Sequence, residues 1–280
     1  MSSPLAIMTN SSALNAQRNL TSTGRKMGTS IERLSSGLKV NSSSDDAAGI
    51  AVSTGLTAQT KGFSQAMENA NEAIALLQTT EGSYNSISDI LIRMRELAVQ
   101  SSSDTLTDKE RAYLDTEFED LTAEITRISD VAEYNGISLL TGTAGDGSGN
   151  MVFQVGTRNT TNDQITIQLG DQDSTALGVE ALDLTDLANS QTAITTIDTA
   201  LDQLATDRSE LGSKINELTA AVDNLAVTVE NLSAANSQIK DADIASESAE
   251  FTKYQVLMQS GVAMLSQANG VSQMALRLLG

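Results

Sequence analysis

Between Thr192 and Ser233 the apolar positions fall on an unbroken alternation of three- and four-residue steps. Ile194, Ile197, Leu201, Leu204, Arg208, Leu211, Ile215, Leu218, Val222, Leu225, Val229 and Leu232 follow it, and only Arg208 is not aliphatic. The residues between them are mostly Asp, Glu, Asn, Ser, Thr and Ala. This is a heptad pattern: one narrow apolar seam on a helix that supercoils gently against a partner. At about 1.5 Å per residue the rod is roughly 60 Å long. A helix with a single apolar stripe gains too little alone to offset its ordering entropy, so the chain must supply partners for Leu201, Leu211, Leu218 and Leu225.

Two further ladders meet that need. Phe63, Met67, Ala70, Ile74, Leu77, Glu81, Tyr84, Ile87, Leu91, Met94 and Ala98 form one, with Glu81-Gly82 and a shortened step marking a local defect. Leu114, Phe118, Leu121, Ile125, Ile128 and Ala132 form the other. Thr107 with Glu110 fits a capping box at its start, and Asn135-Gly136 is turn chemistry at its end. Ser42 to Asp45 can cap a further helix beginning near Asp46. Weaker ladders sit at the two ends. Leu20, Met27, Ile31, Leu34 and Leu38 make one, with Gly24 in an apolar place. Phe251, Met258, Leu265 and Leu279 make the other, with Tyr254, Val262, Ala268 and Ala275 as companions and Ser272 as a break. Gly24, Gly28, Gly37, Gly261 and Gly270 weaken both.

Residues 137–190 lack a long helical period. Thr141 to Asn150 is a Gly-rich loop, and residues 151–155 and 164–169 read as two short strands of a hairpin. The fold class predicted is mainly α: a long antiparallel helical bundle with a small β-hairpin, and terminal helices that pair as a coiled coil. The expected divisions are 1–44 and 236–280 as two halves of a terminal domain, 45–140 and 191–235 as bundle helices, and 141–190 as loop and hairpin. The two marginal ends are expected to pair with one another, and with copies from other subunits, on assembly. A head-to-tail contact that does not close gives a helical filament.

Composition removes most other functions. The 280 residues contain no Cys, His or Trp and one Pro. Disulfides and thiolate or imidazole metal sites are absent, as is the usual general base near neutral pH. No catalytic constellation, cofactor motif or metal motif is visible, so the chain reads as a non-enzyme. The segment DADIASESAEF lacks the spacing of a calcium loop and reads as a solvated face. Net charge is −19. Residues 1–44 carry five bases against Glu32, and residues 251–280 carry Lys253 and Arg277 against no acid. The middle is therefore strongly acidic, which argues against a nucleic-acid partner. No apolar run is long enough to cross a membrane, and no ordinary secretory signal opens the chain.

Several stretches together resemble the bacterial flagellins. They are the run Ile31 to Leu38, IERLSSGL, continuing into SSSDDAAGIA at 42–51; ENANEAIALLQTTEG at 68–82; and ILIRMRELAVQS at 90–101. EYNGISLL at 133–140, FQVG at 153–156, ENLSAANSQIKDADIA at 230–245 and AMLSQANGVSQMALRLL at 263–279 follow in order. The resemblance covers about 1–156 and 190–280. It implies a filament subunit whose terminal helices line a tube as a coiled coil while the bundle forms the wall around them. Only about fifty central residues stand where many flagellins insert large outer domains. The resemblance also implies an extracellular location in the flagellum, export as an unfolded chain with an uncleaved N-terminus, an export chaperone on the C-terminal helices and a filament cap protein. The segment Leu91 to Ser101 matches a stretch that serves both subunit contact and the vertebrate Toll-like receptor for flagellin. Arg93, Arg95, Glu96, Leu97 and Val99 are the residues concerned. Ile92 stands where Gln is usual in that stretch, and Ser272 where Pro is common.

Two rival readings remain at this stage. A hook–filament junction protein shares the terminal motifs, but usually lacks RELAVQ and DDAAG together. A signalling coiled coil would place its contacts at a central hairpin tip, where this chain has a Gly-rich loop and strands.

Overall fold

The structure is a computed structural model that describes residues 10–279, with side chains described as far as Gly270. Its elements are α1 (Ser11–Ser36), α2 (Ala47–Ser101), α3 (Asp108–Val131), β1 (Glu133–Tyr134), β2 (Ile137–Ser138), the single turn α4 (Ala144–Gly147), β3 (Asn150–Gln154), β4 (Gln164–Gln168), α5 (Leu187–Lys240) and α6 (Ile244–Leu279). They fall into two compact units. Unit 1 holds residues 1–58 and 231–280, and unit 2 holds residues 59–230. The chain passes from one to the other inside α2 and again inside α5.

Unit 2 carries the bundle core. On α5, Ser190, Ile197, Leu204, Leu211, Leu218 and Leu225 are buried at strict sevenfold spacing, and Leu201, Ile215 and Val222 line them half-buried. On α3, Arg111, Phe118 and Ile125 repeat the same spacing. The seam of α2 differs from the sequence expectation. Buried positions run Ala66, Ala70, Ala73, Leu77, Thr80, Tyr84, Ile87, Leu91, Met94, Ala98 and Ser101, again in alternating steps of four and three. The defect at Glu81-Gly82 is absent, and the helix continues through both residues. Thr80 fills the inward place with 0% exposure, and its hydroxyl donates to the Leu76 carbonyl at 3.0 Å. A hydroxyl satisfied by its own helix can sit in an apolar seam without an unpaired polar atom. The apparent break arose because Thr80 does not register as apolar.

Turn chemistry closes the bundle. The Glu110 carboxylate accepts from the Thr107 N–H at 2.8 Å and the Thr107 hydroxyl at 2.9 Å, at the start of α3. Asn135 and Gly136 adopt φ of 51° and 78°, the two left-handed residues a two-residue hairpin between β1 and β2 demands. β3 pairs antiparallel with β4, with Met151 opposite Ile167 and Phe153 opposite Ile165. Met151, Ile165, Ile167 and Leu169 turn into the core. Between α4 and α5, Leu177, Val179 and Leu184 join that core, and the buried Ser101 hydroxyl donates to the Leu184 carbonyl at 2.8 Å. The stretch 171–186 is therefore an irregular, anchored loop.

In unit 1, α1 and α6 run antiparallel with their Cα atoms within 8 Å of each other. Asn10 accepts from the Ala13 N–H to cap α1, and its amide donates to the Ala268 carbonyl at 3.0 Å. Where α2 starts, the roles of the two aspartates differ from expectation. Asp46 itself caps α2, accepting from the Gly49 N–H at 2.9 Å. Asp45 instead closes the preceding loop, accepting from the N–H groups of Asn41 and Ser42 and from the Ser42 hydroxyl.

Candidate functional site: the terminal helix pair and an exposed face of the bundle

The terminal pair is built on small residues. On α1 the inward positions are Ala13, Ala16, Leu20, Gly24, Met27, Ser30 and Leu34. On α6 they are Glu247, Phe251, Tyr254, Met258, Gly261, Leu265 and Ala268. Two large side chains meet two glycines. The Leu20 Cδ2 lies 2.7 Å from the place a Cβ of Gly261 would take, and the Met258 Cε lies 3.3 Å from the corresponding point of Gly24. Each glycine makes room for a side chain on the opposite helix, which is how the axes come so close. The helix-weakening glycines read from the sequence are therefore packing positions.

This seam corrects three of the expected contacts. Ile31 is 49% exposed, and Ser30 takes the inward place beside it. Val262 is 56% exposed, and Gly261 takes its place. Leu38 lies beyond the end of α1, where it forms an isolated antiparallel bridge with Asp241. Leu20, Met27, Leu34, Phe251, Met258 and Leu265 all lie half-buried along the seam. The side chain of Leu279 is outside the described residues, as are those of Ser272 and Ala275.

The junction between the terminal and bundle helices is held by main-chain bonds. Gly37 ends α1 with φ 74°, its N–H donating to the Arg33 carbonyl at 2.8 Å. The Lys39 N–H donates to the Lys240 carbonyl at 2.7 Å, and the Ala242 N–H to the Gly37 carbonyl at 2.9 Å. Asp243 then caps α6, accepting from the N–H groups of Ala245 and Ser246. Among the described residues no three acidic side chains converge where a metal ion could sit. Hydrogen bonds from the Ser42 N–H and hydroxyl hold the Asp45 carboxyl below the usual aspartate range. One polar seam residue marks the base of α5. Asn236 accepts from the Ser53 hydroxyl at 2.7 Å and donates to the Thr57 hydroxyl at 3.2 Å.

This pair leaves several large apolar side chains open to water. Leu14 on α1 and Val256, Leu257 and Met264 on α6 are exposed by 47–66%. An open groove of about 630 Å³ runs along α1 and α6, lined by Leu20, Leu257 and Met264 and by polar side chains, Asn15, Asn19 and Lys26 among them.

A second exposed face lies on α2 in unit 2. Arg93 grips Glu117 of α3 through Nε at 3.0 Å and Nη2 at 2.7 Å, and Glu96 through Nη1 at 3.0 Å. These bonds, those to Glu117 foremost, raise the Arg93 pKa. Arg95 binds Asp198 of α5 through Nε at 2.6 Å and Nη2 at 3.3 Å, which lowers the Asp198 pKa. Ile92, Arg95, Glu96, Val99 and Gln100 line a shallow depression of about 470 Å³, with Ile92 and Val99 half exposed. Leu97 does not belong to this face. It is 1% exposed and packed in the bundle core, so it supports the surface from beneath. Leu97 falls outside the alternating ladder of Leu91, Met94 and Ala98, but it follows Met94 by three residues and widens the buried stripe there.

No helix among the described residues is long and apolar enough to cross a membrane. Comparison with known proteins matches residues 7–145 to the bacterial flagellin N-terminal helical region and residues 194–279 to the bacterial flagellin C-terminal helical region. The flagellin of Halalkalibacterium halodurans is 40% identical over 269 residues, covering 95% of this chain and 97% of that one. Flagellin FlaB1 of Treponema pallidum is 38% identical over 96% of this chain and 98% of that one. Among solved structures, Bacillus cereus flagellin matches with TM-score 0.50 and 32% identity over 60% of this chain and 94% of that one. A putative flagellar hook-associated protein from Vibrio parahaemolyticus matches with TM-score 0.57, over 70% of this chain and all of that one. At 16% identity it speaks to the fold alone. With both terminal regions matched and relatives alike over nearly their full length, this chain belongs to the bacterial flagellin family.

Proposed function

We propose that the chain is a structural subunit that polymerises with copies of itself into the flagellar filament, and that its terminal helices become fully ordered as it does so. The observation that carries this reading is the terminal pair. α1 and α6 fit one another closely through Gly24 and Gly261, yet Leu14, Val256, Leu257 and Met264 remain exposed, Leu257 and Met264 within an open groove. A monomer that keeps such a face in water is one whose face is covered in an assembly. Ile31 and Val262 are likewise exposed, outside the intrachain seam.

On the same reading the chain is exported to the extracellular filament with its N-terminus uncleaved. An export chaperone shields the C-terminal helix, and a cap protein guides insertion. The depression around Ile92, Arg95, Glu96 and Val99 meets a neighbouring subunit along the filament. In free monomer, together with Arg93, it is the surface a Toll-like receptor would meet. Arg93 and Arg95 are already paired within the subunit, so they present a fixed charge pattern rather than free cations.

The test is electron microscopy of protein first dissociated by heat and then moved into precipitating salt. Long helical tubes are expected. Discrete dimers as the end state would overturn the reading.

A further inference from the structure

We infer that the tip of the β3–β4 hairpin is a cationic contact between copies of this chain. In the polymer, Arg158 of one copy docks between Glu119 and Glu180 of the next. This rests on the filament reading above and supplies an attraction between bundles that otherwise carry like charge.

Unit 2 is strongly acidic and carries nine bases. Copies packed through it repel unless cations of one meet acids of the other. Most of the nine are engaged inside the subunit. Arg93, Arg95, Arg127 and Lys214 pair with its own acids. Arg111 is 5% exposed, and Arg208 is half-buried. Lys61, Lys109 and Arg158 are left, all exposed and without an ion pair among the described residues. Lys109 sits between Asp108 and Glu110 in the chain. Lys61 and Arg158 are brought to one place by the fold. Lys61 precedes Gly62 on α2, and a Cβ on Gly62 would stand 2.8 Å from the Cγ2 of Thr157, the residue before Arg158. The tip is braced there. Asn69 of α2 donates to the Gln154 carbonyl at 3.2 Å, and the Gln154 amide donates to the carbonyls of Gly156 and Arg158, each at 2.8 Å. The Arg158 N–H donates to the Asp163 carboxylate at 3.1 Å.

The acceptor lies between α3 and the anchored loop 171–186. Glu119, Thr122 and Thr126 of α3 with Ser174, Glu180 and Leu182 of the loop line a depression of about 390 Å³. Its hydroxyls are satisfied within the chain: those of Thr126 and Ser174 bond to each other at 2.8 Å, and that of Thr122 donates to the Phe118 carbonyl at 2.9 Å. The Thr175 hydroxyl donates to the Glu180 carboxylate at 2.6 Å and holds it in place. Neither Glu119 nor Glu180 makes an ion pair among the described residues, and no base lines the depression, in contrast to the one that Arg95 lines. Two carboxylates beside an apolar Leu182 suit a guanidinium, whose fork meets carboxylates while its stem packs on apolar surface. Donor tip and acceptor depression are separate sites on one chain, so the pairing runs head to tail from copy to copy.

The test grows the full chain from sheared filament seeds at the lowest salt that supports growth, because exposed ion pairs are screened by salt. Sedimentation reads the subunit concentration left in solution when growth stops. Arg158→Glu should raise it about tenfold, and Lys109→Glu, an equal change in net charge, about twofold or less. Adding Glu119→Arg to Arg158→Glu should restore most of the lost growth. Adding Asp130→Arg instead, which restores the same net charge at another exposed site of α3, should not. Comparing these two double variants keeps the test valid even where Arg158→Glu loosens the tip. An Arg158→Glu chain that grows no worse than Lys109→Glu overturns the contact and leaves the filament reading standing. Equal rescue by both second substitutions overturns it as well, since net charge alone would then matter. Unaltered chain that forms no polymer overturns the filament reading itself, and the contact with it.

Discussion

Arg208 and Leu218 lie on the same seam of α5 but contribute to it differently. Leu218 is fully buried among aliphatic neighbours. Arg208 is half-buried, and its Nε is shielded without a hydrogen-bond partner. Shielding a charged group's donor without a partner costs stability, whereas an apolar residue of similar length would pack the same space. The two sites should therefore respond in opposite directions. Leu218→Asp places a carboxylate where no donor is available and should cost about 3 kcal/mol or more. Arg208→Met should leave stability unchanged or raise it by about 1 kcal/mol. Urea titration of both variants checks this. An unchanged midpoint for Leu218→Asp would remove Leu218 from the seam, and a large loss for Arg208→Met would show that the guanidinium holds the register.

At the scale of elements, what the sequence disclosed depended on the kind of residue facing inward. The α5 seam was legible because nearly every inward place is aliphatic. The capping pair Thr107 and Glu110, the Asn135-Gly136 turn and the β3–β4 hairpin were legible because each depends on short-range chemistry. Thr80, Ser30, Gly24 and Gly261 were not. Hydropathy marks residues that gain by leaving water, and these are inward for other reasons: an internally bonded hydroxyl at Thr80, or the absence of a side chain where a neighbour needs room. Leu97 was misplaced for a related reason, since a motif shared for contact carries core and surface residues together. The corrected α2 register makes a prediction of its own. Glu81→Ala lies beside the seam and should change stability by about 0.5 kcal/mol or less. Thr80→Asp lies in it and should cost several times that. Thermal melts of the two variants decide between the registers, since the register with Glu81 inward predicts the reverse ranking.

At the scale of the whole molecule, charge and core are divided between the units in a way that bears on assembly. Unit 2 contains 29 acidic and 9 basic residues, a net of −20, which leaves +1 of the total −19 to unit 1. Copies brought together through unit 2 alone would repel, and salt would relieve that repulsion. The nearly neutral unit 1, with its exposed apolar α6 face, is the part whose association carries little electrostatic cost. The buried seam positions of α3 and of α2 and α5 in unit 2 all fall within residues 59–230, so that core does not draw on the C-terminal helix. Removing residues 251–280 should therefore abolish polymerisation while leaving the bundle folded. Sedimentation should find no pelletable polymer at salt concentrations that precipitate filaments of the full chain. Circular dichroism should lose helicity in proportion to the deleted residues and the α1 segment that pairs with them. Loss of most of the helical signal would instead mean that the α2, α3 and α5 seams cannot hold without the tail. Polymer formed without the tail would place the decisive contact on unit 2, against its own charge.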